Sequence, residues 1–136
     1  YPQDGFSVKE CINPKFFKKC FNKLIKKDLK NIYISTDCKL PFNLILDFLD
    51  LNNEYAHKLI DLRPLTSKME VDELMIFLST FPTIVLSNST FSWWVGYFAA
   101  TFKSGNVIAP SNKWLNKGYT HPWTDFPIKI SSFNWI

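Results

Sequence analysis

The chain has 136 residues, enough for one domain with a hydrophobic core, and is read as a single domain over 1–136. Hydrophobic residues make up 46% and charged residues 21%, a globular composition that excludes a disordered or low-complexity chain. The net charge of +4 comes almost entirely from lysine. Arg63 is the only arginine, which weighs against a nucleic-acid partner because arginine supplies most bidentate phosphate and guanine contacts.

The lysines of "KFFKKCFNKLIKKDLK" (15–30) read as a solvated helix face. No apolar run reaches membrane-spanning length and no signal-peptide pattern opens the chain. The first residues, "YPQDG", do not begin with Met, and the chain is expected to be a fragment of a longer protein. Cys11, Cys20 and Cys38 are an odd number without close pairing, so a full disulfide framework is not expected. One disulfide and one free thiol remain open. No cysteine–histidine cluster points to zinc, and His57 and His121 are far apart in sequence.

In chain order, Asn13-Pro14 is a helix start, with Asn13 as the capping residue. Phe16, Phe17, Cys20, Phe21, Leu24, Ile25 and Leu29 then recur at helical spacing. "NIYIS" (31–35) predicts a buried strand closed by Thr36-Asp37, and Pro41 opens a second helix. "HKLIDL" (57–62) predicts a strand broken by Pro64. "SKMEVDELMIFLSTF" predicts a helix with Met69, Leu74, Phe77 and Leu78 inward. "TIVLS" (83–87) predicts a third strand, residues 90–102 a helix, and "NVIAP" (106–110) a fourth strand. The tail after Trp114 reads as loop. Short apolar strands alternating with helices predict an α/β fold. The expected form is a doubly wound, mainly parallel, Rossmann-like sheet with helices on both faces.

Ligands of such sheets bind beyond the carboxyl ends of the strands. Two strand ends are polar, Ser35-Thr36-Asp37 and Ser87-Asn88-Ser89-Thr90. The second precedes a helix whose unpaired N–H groups suit phosphate, and Ser89, Thr90 and Ser92 add hydroxyls. The plainer reading is that Ser89 or Thr90 only caps the helix. Trp93 and Trp94 are expected to pack the helix against the sheet. Asn88-Ser89-Thr90 matches the N-glycosylation pattern, but at a tight turn rather than an open loop it is expected to be unused. Asp37 either accepts the paired donors of a guanine edge or caps the next helix; both readings stand.

"SNSTFSWWVGYF" followed by "NVIAPSNKW" resembles the carboxyl-terminal signature of the α-1,2-fucosyltransferase family. "NIYISTDC" is similar to the strand and Thr/Ser-Asp element of the wider GDP-fucose-using superfamily. Asp72 and Met75–Ile76 lie close to the places that the family's Asp-x-x-x-Met helix spacing expects, and "YTHPWTDFPIKI" looks like its closing segment. The resemblance runs from about residue 12 to the end.

The resemblance implies the carboxyl-terminal, donor-binding half of a GT-B fold in an inverting, metal-independent hexosyltransferase. Such an enzyme moves L-fucose from GDP-fucose to a galactose hydroxyl of a glycan acceptor. GDP-fucose is then a co-substrate, with no cofactor, no metal and no nucleic-acid partner. Carried over by motif, Asp37, beside Thr36, contacts the guanine. Ser89, Thr90 and Phe91 line the diphosphate and Ser92 supports them. Trp93, Trp94, Trp114 and Asp72 are expected to support the site structurally. The family's H-x-R-R-G-D-Y motif, whose arginine neutralises the diphosphate, is not in this sequence, and Arg63 does not match it. Val95-Gly96 replaces the usual small pair after the tryptophans. The resemblance implies the Golgi lumen for a eukaryotic member and the cytoplasm for a bacterial one. Two alternatives are an inactive nucleotide-sugar-binding or structural domain of the same fold, and a different nucleotide-sugar transferase.

Overall fold

A computed structural model describes residues 12–27, 31–52, 55–114 and 132–136 of the chain. The fold is mixed α/β, with short parallel sheets and helices. It divides into two compact units, Pro14–Glu70 and Val71–Ile136, with Asn13 grouping with the second.

The first unit begins with α1 (Lys15–Ile25). Phe16, Cys20, Phe21 and Leu24 are buried on one face, and the lysines take the other. The helix starts one residue later than the Asn13 cap predicts. Pro14 already has helical φ and ψ, and its carbonyl accepts from the amides of Phe17 and Lys18. Leu29, expected to continue the helix, lies outside the described residues. β1 (Ile32–Ile34) pairs in parallel with β2 (Leu59–Asp61), Ile32 opposite Leu59 and Ile34 opposite Asp61. Parallel neighbours need a crossover, and this one contains α2 (Phe42–Phe48).

α2 stops in a Schellman turn. The Leu51 amide donates to Leu46 O at 2.8 Å and the Asp50 amide to Asp47 O at 3.1 Å. Asp50 takes the left-handed position at φ 54°. Leu46 and Leu51, at the two ends of that turn, both join the core with Phe21 and Leu59. β2 starts two residues later than expected. The Lys58 amide is used by Tyr55 O in a 3-10 turn over Ala56–Lys58, which takes His57 out of the strand. Pro64 does not simply end the strand. It lies in the first turn of a short helix, α3 (Arg63–Thr66), where a missing N–H costs nothing.

The second unit holds α4 (Val71–Ser79), β3 (Thr83–Val85), α5 (Thr90–Phe102), β4 (Asn106–Ala109) and β5 (Asn134–Trp135). The strands are parallel, in the order β3-β4-β5. Central β4 buries Val107, Ile108 and Ala109 in succession, as a strand covered on both faces must. β5 falls in the tail that reads as loop; Ile108 pairs with Asn134 and Ala109 with Trp135. α4 packs on α5. Of the residues expected inward, Leu74, Phe77 and Leu78 are half-buried on it, whereas Met69 precedes its first residue; its fully buried residue is Ser79, whose hydroxyl donates to Ile76 O at 2.7 Å. The core of this unit is Leu86, Ala99, Val107, Ala109 and Phe133, with Trp93 and Tyr97 packed against it. No helix among the described residues is long and apolar enough to cross a membrane.

Candidate functional site

The turn after β3 is built by hydroxyls. Ser89 caps α5, its Oγ accepting from the Ser92 amide at 3.0 Å. The same Oγ lies 2.9 Å from Ser92 Oγ, which is 2.7 Å from Ser87 Oγ. Ser87, Ser89 and Ser92 therefore hold one another and fix the turn. Thr90 stands apart, exposed and outside this hydroxyl network. The first two helical amides, of Thr90 and Phe91, have no hydrogen-bond partner among the described residues, because the cap satisfies only the amide of Ser92. The helix thus begins with two free N–H donors and one exposed hydroxyl. That is the arrangement that stabilises an anion at a helix start.

The tryptophans behind the turn differ. Trp93 packs on the core and stacks on Tyr97, with ring centroids 5.5 Å apart and planes 6° from parallel. Trp94 is 42% exposed and meets Trp93 edge-on at 4.9 Å. Packing of α5 against its sheet therefore falls to Trp93 with Gly96 and Ala99, not to Trp94. The reason is helical geometry, since adjacent residues point about 100° apart and cannot share one face. Asp72 lies exposed in the first turn of α4, its carboxylate accepting from the Glu73 amide at 3.0 Å. Trp114 closes a 3-10 turn at Asn112–Trp114, and its indole donates to Ile136 O at 2.9 Å.

In the first unit the end of β1 leads into a short polar turn. Thr36 Oγ1 accepts from the Cys38 amide at 3.1 Å. Asp37, between them, is exposed and makes no hydrogen bond among the described residues. It does not cap α2, whose N-cap is Pro41 without a side-chain bond. Of the two readings of this carboxylate, the capping one is removed.

Arg63, which the sequence gives no part in the site, is held by a network of its own. Its Nε lies 3.0 and 3.1 Å from the two oxygens of Asp61, and its Nη2 donates to Asp61 Oδ2 at 2.7 Å. Nη1 donates to Cys38 O at 2.7 Å and Leu40 O at 2.5 Å. The only signal was an arginine, unique in the chain, two residues after an aspartate at a strand end. The guanidinium bonds hold the Asp61 carboxyl below the ordinary carboxylate range. Its contribution to stability is therefore complete above about pH 4 and lost as pH falls through the lowered value. Unfolding midpoints measured from pH 6 to pH 2 should show this acid loss, and Asp61→Asn should flatten it while lowering the plateau.

Cys20 and Cys38 are both free and buried, and Cys11 lies outside the described residues. Burial pushes the Cys20 thiol up to about 11 against the opposing pull of Lys23 and Lys19. Labelling by a thiol reagent at pH 8 should leave Cys20 untouched in the folded protein and modify it in denaturant. Lys15, Lys18, Lys19, Lys23 and Lys26 line a shallow depression on α1, and Lys18 pairs with Asp50 there. Among the described residues no group of three or more His, Cys, Asp or Glu side chains is placed to hold a metal ion.

Comparison with protein-family models, with curated proteins and with solved structures finds no match.

Proposed function

We propose that this chain is the donor-nucleotide-binding part of a GT-B-type glycosyltransferase resembling the α-1,2-fucosyltransferases. It would transfer L-fucose from GDP-fucose, with inversion, to a galactose hydroxyl of a glycan acceptor. The observation that carries this reading is the start of α5. There the amides of Thr90 and Phe91, unpaired among the described residues, and the exposed Thr90 hydroxyl follow the turn after a parallel strand. Negative charge grows on the departing β-phosphate as the sugar–oxygen bond breaks, so fixed donors at that place lower the barrier. Ser89 and Ser92, bonded to each other, hold those donors in position. Asp37, exposed and unpartnered among the described residues, is the carboxylate assigned to the guanine edge, whose N1–H and amino group offer it two parallel donors. The doubly wound GT-B half belongs to the same proposal. The β1-α2-β2 and β3-α5-β4 crossovers, each joining parallel neighbours, are what support it.

A second reading, a binding domain without transfer activity, is favoured by one observation. The only arginine in the sequence commits its donors to Asp61, Cys38 O and Leu40 O, so it is not placed to neutralise a diphosphate. Both readings require guanine nucleotide binding. Titration calorimetry with GDP, UDP and ADP should give selective GDP binding near millimolar, about −4 kcal/mol, lost in Asp37→Ala. Equal binding of the three nucleotides would remove Asp37 as the base reader. No binding by the folded chain would count against both readings.

A further inference from the structure

We infer that Arg63 is the positioning residue of the Thr36–Asp37 loop, a clamp that fixes the base-reading carboxylate without touching it. The inference rests on Asp37 contacting the nucleobase.

The clamp begins at the end of β2. Asp61 accepts from the Arg63 backbone amide at 2.9 Å as well as from the guanidinium, so the side chain is held at its root and along one edge. The Leu62 amide donates to Ile34 O at 3.0 Å, which ties the turn bearing Arg63 to the end of β1. The opposite edge of the guanidinium grips Cys38 O and Leu40 O. Cys38 is held a second time through its amide on Thr36 Oγ1, and its side chain is buried. Asp37 therefore stands between two fixed neighbours while its own carboxylate stays exposed.

That is the geometry of a preorganised acceptor. A free loop would lose conformational entropy on binding, and a held loop has already done so. Asp61 and Arg63 neutralise each other, and the guanidinium donors point at oxygens other than those of Asp37. The clamp can thus order the loop without consuming the charge that a ligand would use. Lysine cannot replace the fork. A single ammonium lacks the planar donor set that spans a carboxylate and two carbonyls.

The test uses the full chain and three variants. Calorimetry with GDP is paired with amide hydrogen exchange over residues 36–40. Arg63→Lys should weaken GDP about tenfold and speed exchange at Cys38–Leu40, with exchange in α1 unchanged. Asp37→Ala should abolish GDP binding and leave exchange in the loop unchanged. Leu51→Ala, a core truncation in the same unit, should lower the unfolding midpoint while keeping GDP affinity, which separates positioning from general stability. Wild-type affinity in Arg63→Lys, or unchanged exchange in its loop, overturns the inference. If the wild-type chain binds no GDP, the base-reading role fails. The exchange result alone then decides the clamp, accelerated loop exchange supporting it and unchanged exchange overturning it.

Discussion

Gly96→Ala should destabilise the protein by about 2 kcal/mol, although alanine is the better helix former by about 1 kcal/mol. The reason is the seat of α5. A methyl group at Gly96 would meet Leu86 Cδ1 at 2.7 Å, Phe133 Cζ at 2.9 Å and Val107 Cγ1 at 3.1 Å. These three come from just after β3, just before β5 and within β4, and all are buried. No single side chain can turn away to admit the methyl, since each has its own neighbours in a close-packed core. The helix must lift, and the Ser89–Ser92 turn at its start lifts with it. Chemical denaturation would show the loss as a lower midpoint at unchanged slope. Stability equal to or above wild type would mean that α5 does not sit as closely on its sheet as described.

The second large effect is Leu86→Ala, expected to cost about 3 kcal/mol. Leu86 is 1% exposed and belongs to the core cluster with Ala99, Val107, Ala109 and Phe133. Truncating it removes the nearest atom to the Gly96 methyl position. The double variant Leu86→Ala, Gly96→Ala should therefore be more stable than the sum of the single losses by about 1 kcal/mol. Strict additivity in the cycle would show that the two positions do not share one space.

The strands were legible because their composition is local. β1, β2, β3 and β4 each fall within the apolar segments read from the sequence, and α5 runs over the expected residues 90–102. β-branched residues and terminal prolines mark such strands without reference to the rest of the chain. β5 was not legible. It is two residues long and exists through pairing with Ile108 and Ala109, some 26 residues earlier. The same distinction divides the site. Hydroxyls at the start of an apolar helix announce an N-terminal turn, and Ser89 does cap α5. The Arg63 clamp ends on backbone carbonyls 23 and 25 residues away, and carbonyls carry no letter in a sequence. That Trp93 packs inward and Trp94 does not depends on the rotation of α5, which Gly96 and Ala99 set by their small size.

Donor-nucleotide binding is tested most directly by following backbone amide resonances while GDP is added. Binding as proposed should shift the amides of Ser89, Thr90, Phe91 and Ser92 at the start of α5, and leave α1 still. Shifts confined to the lysine face of α1, between Lys15 and Lys26, would identify a nonspecific anion contact and contradict the donor-site assignment.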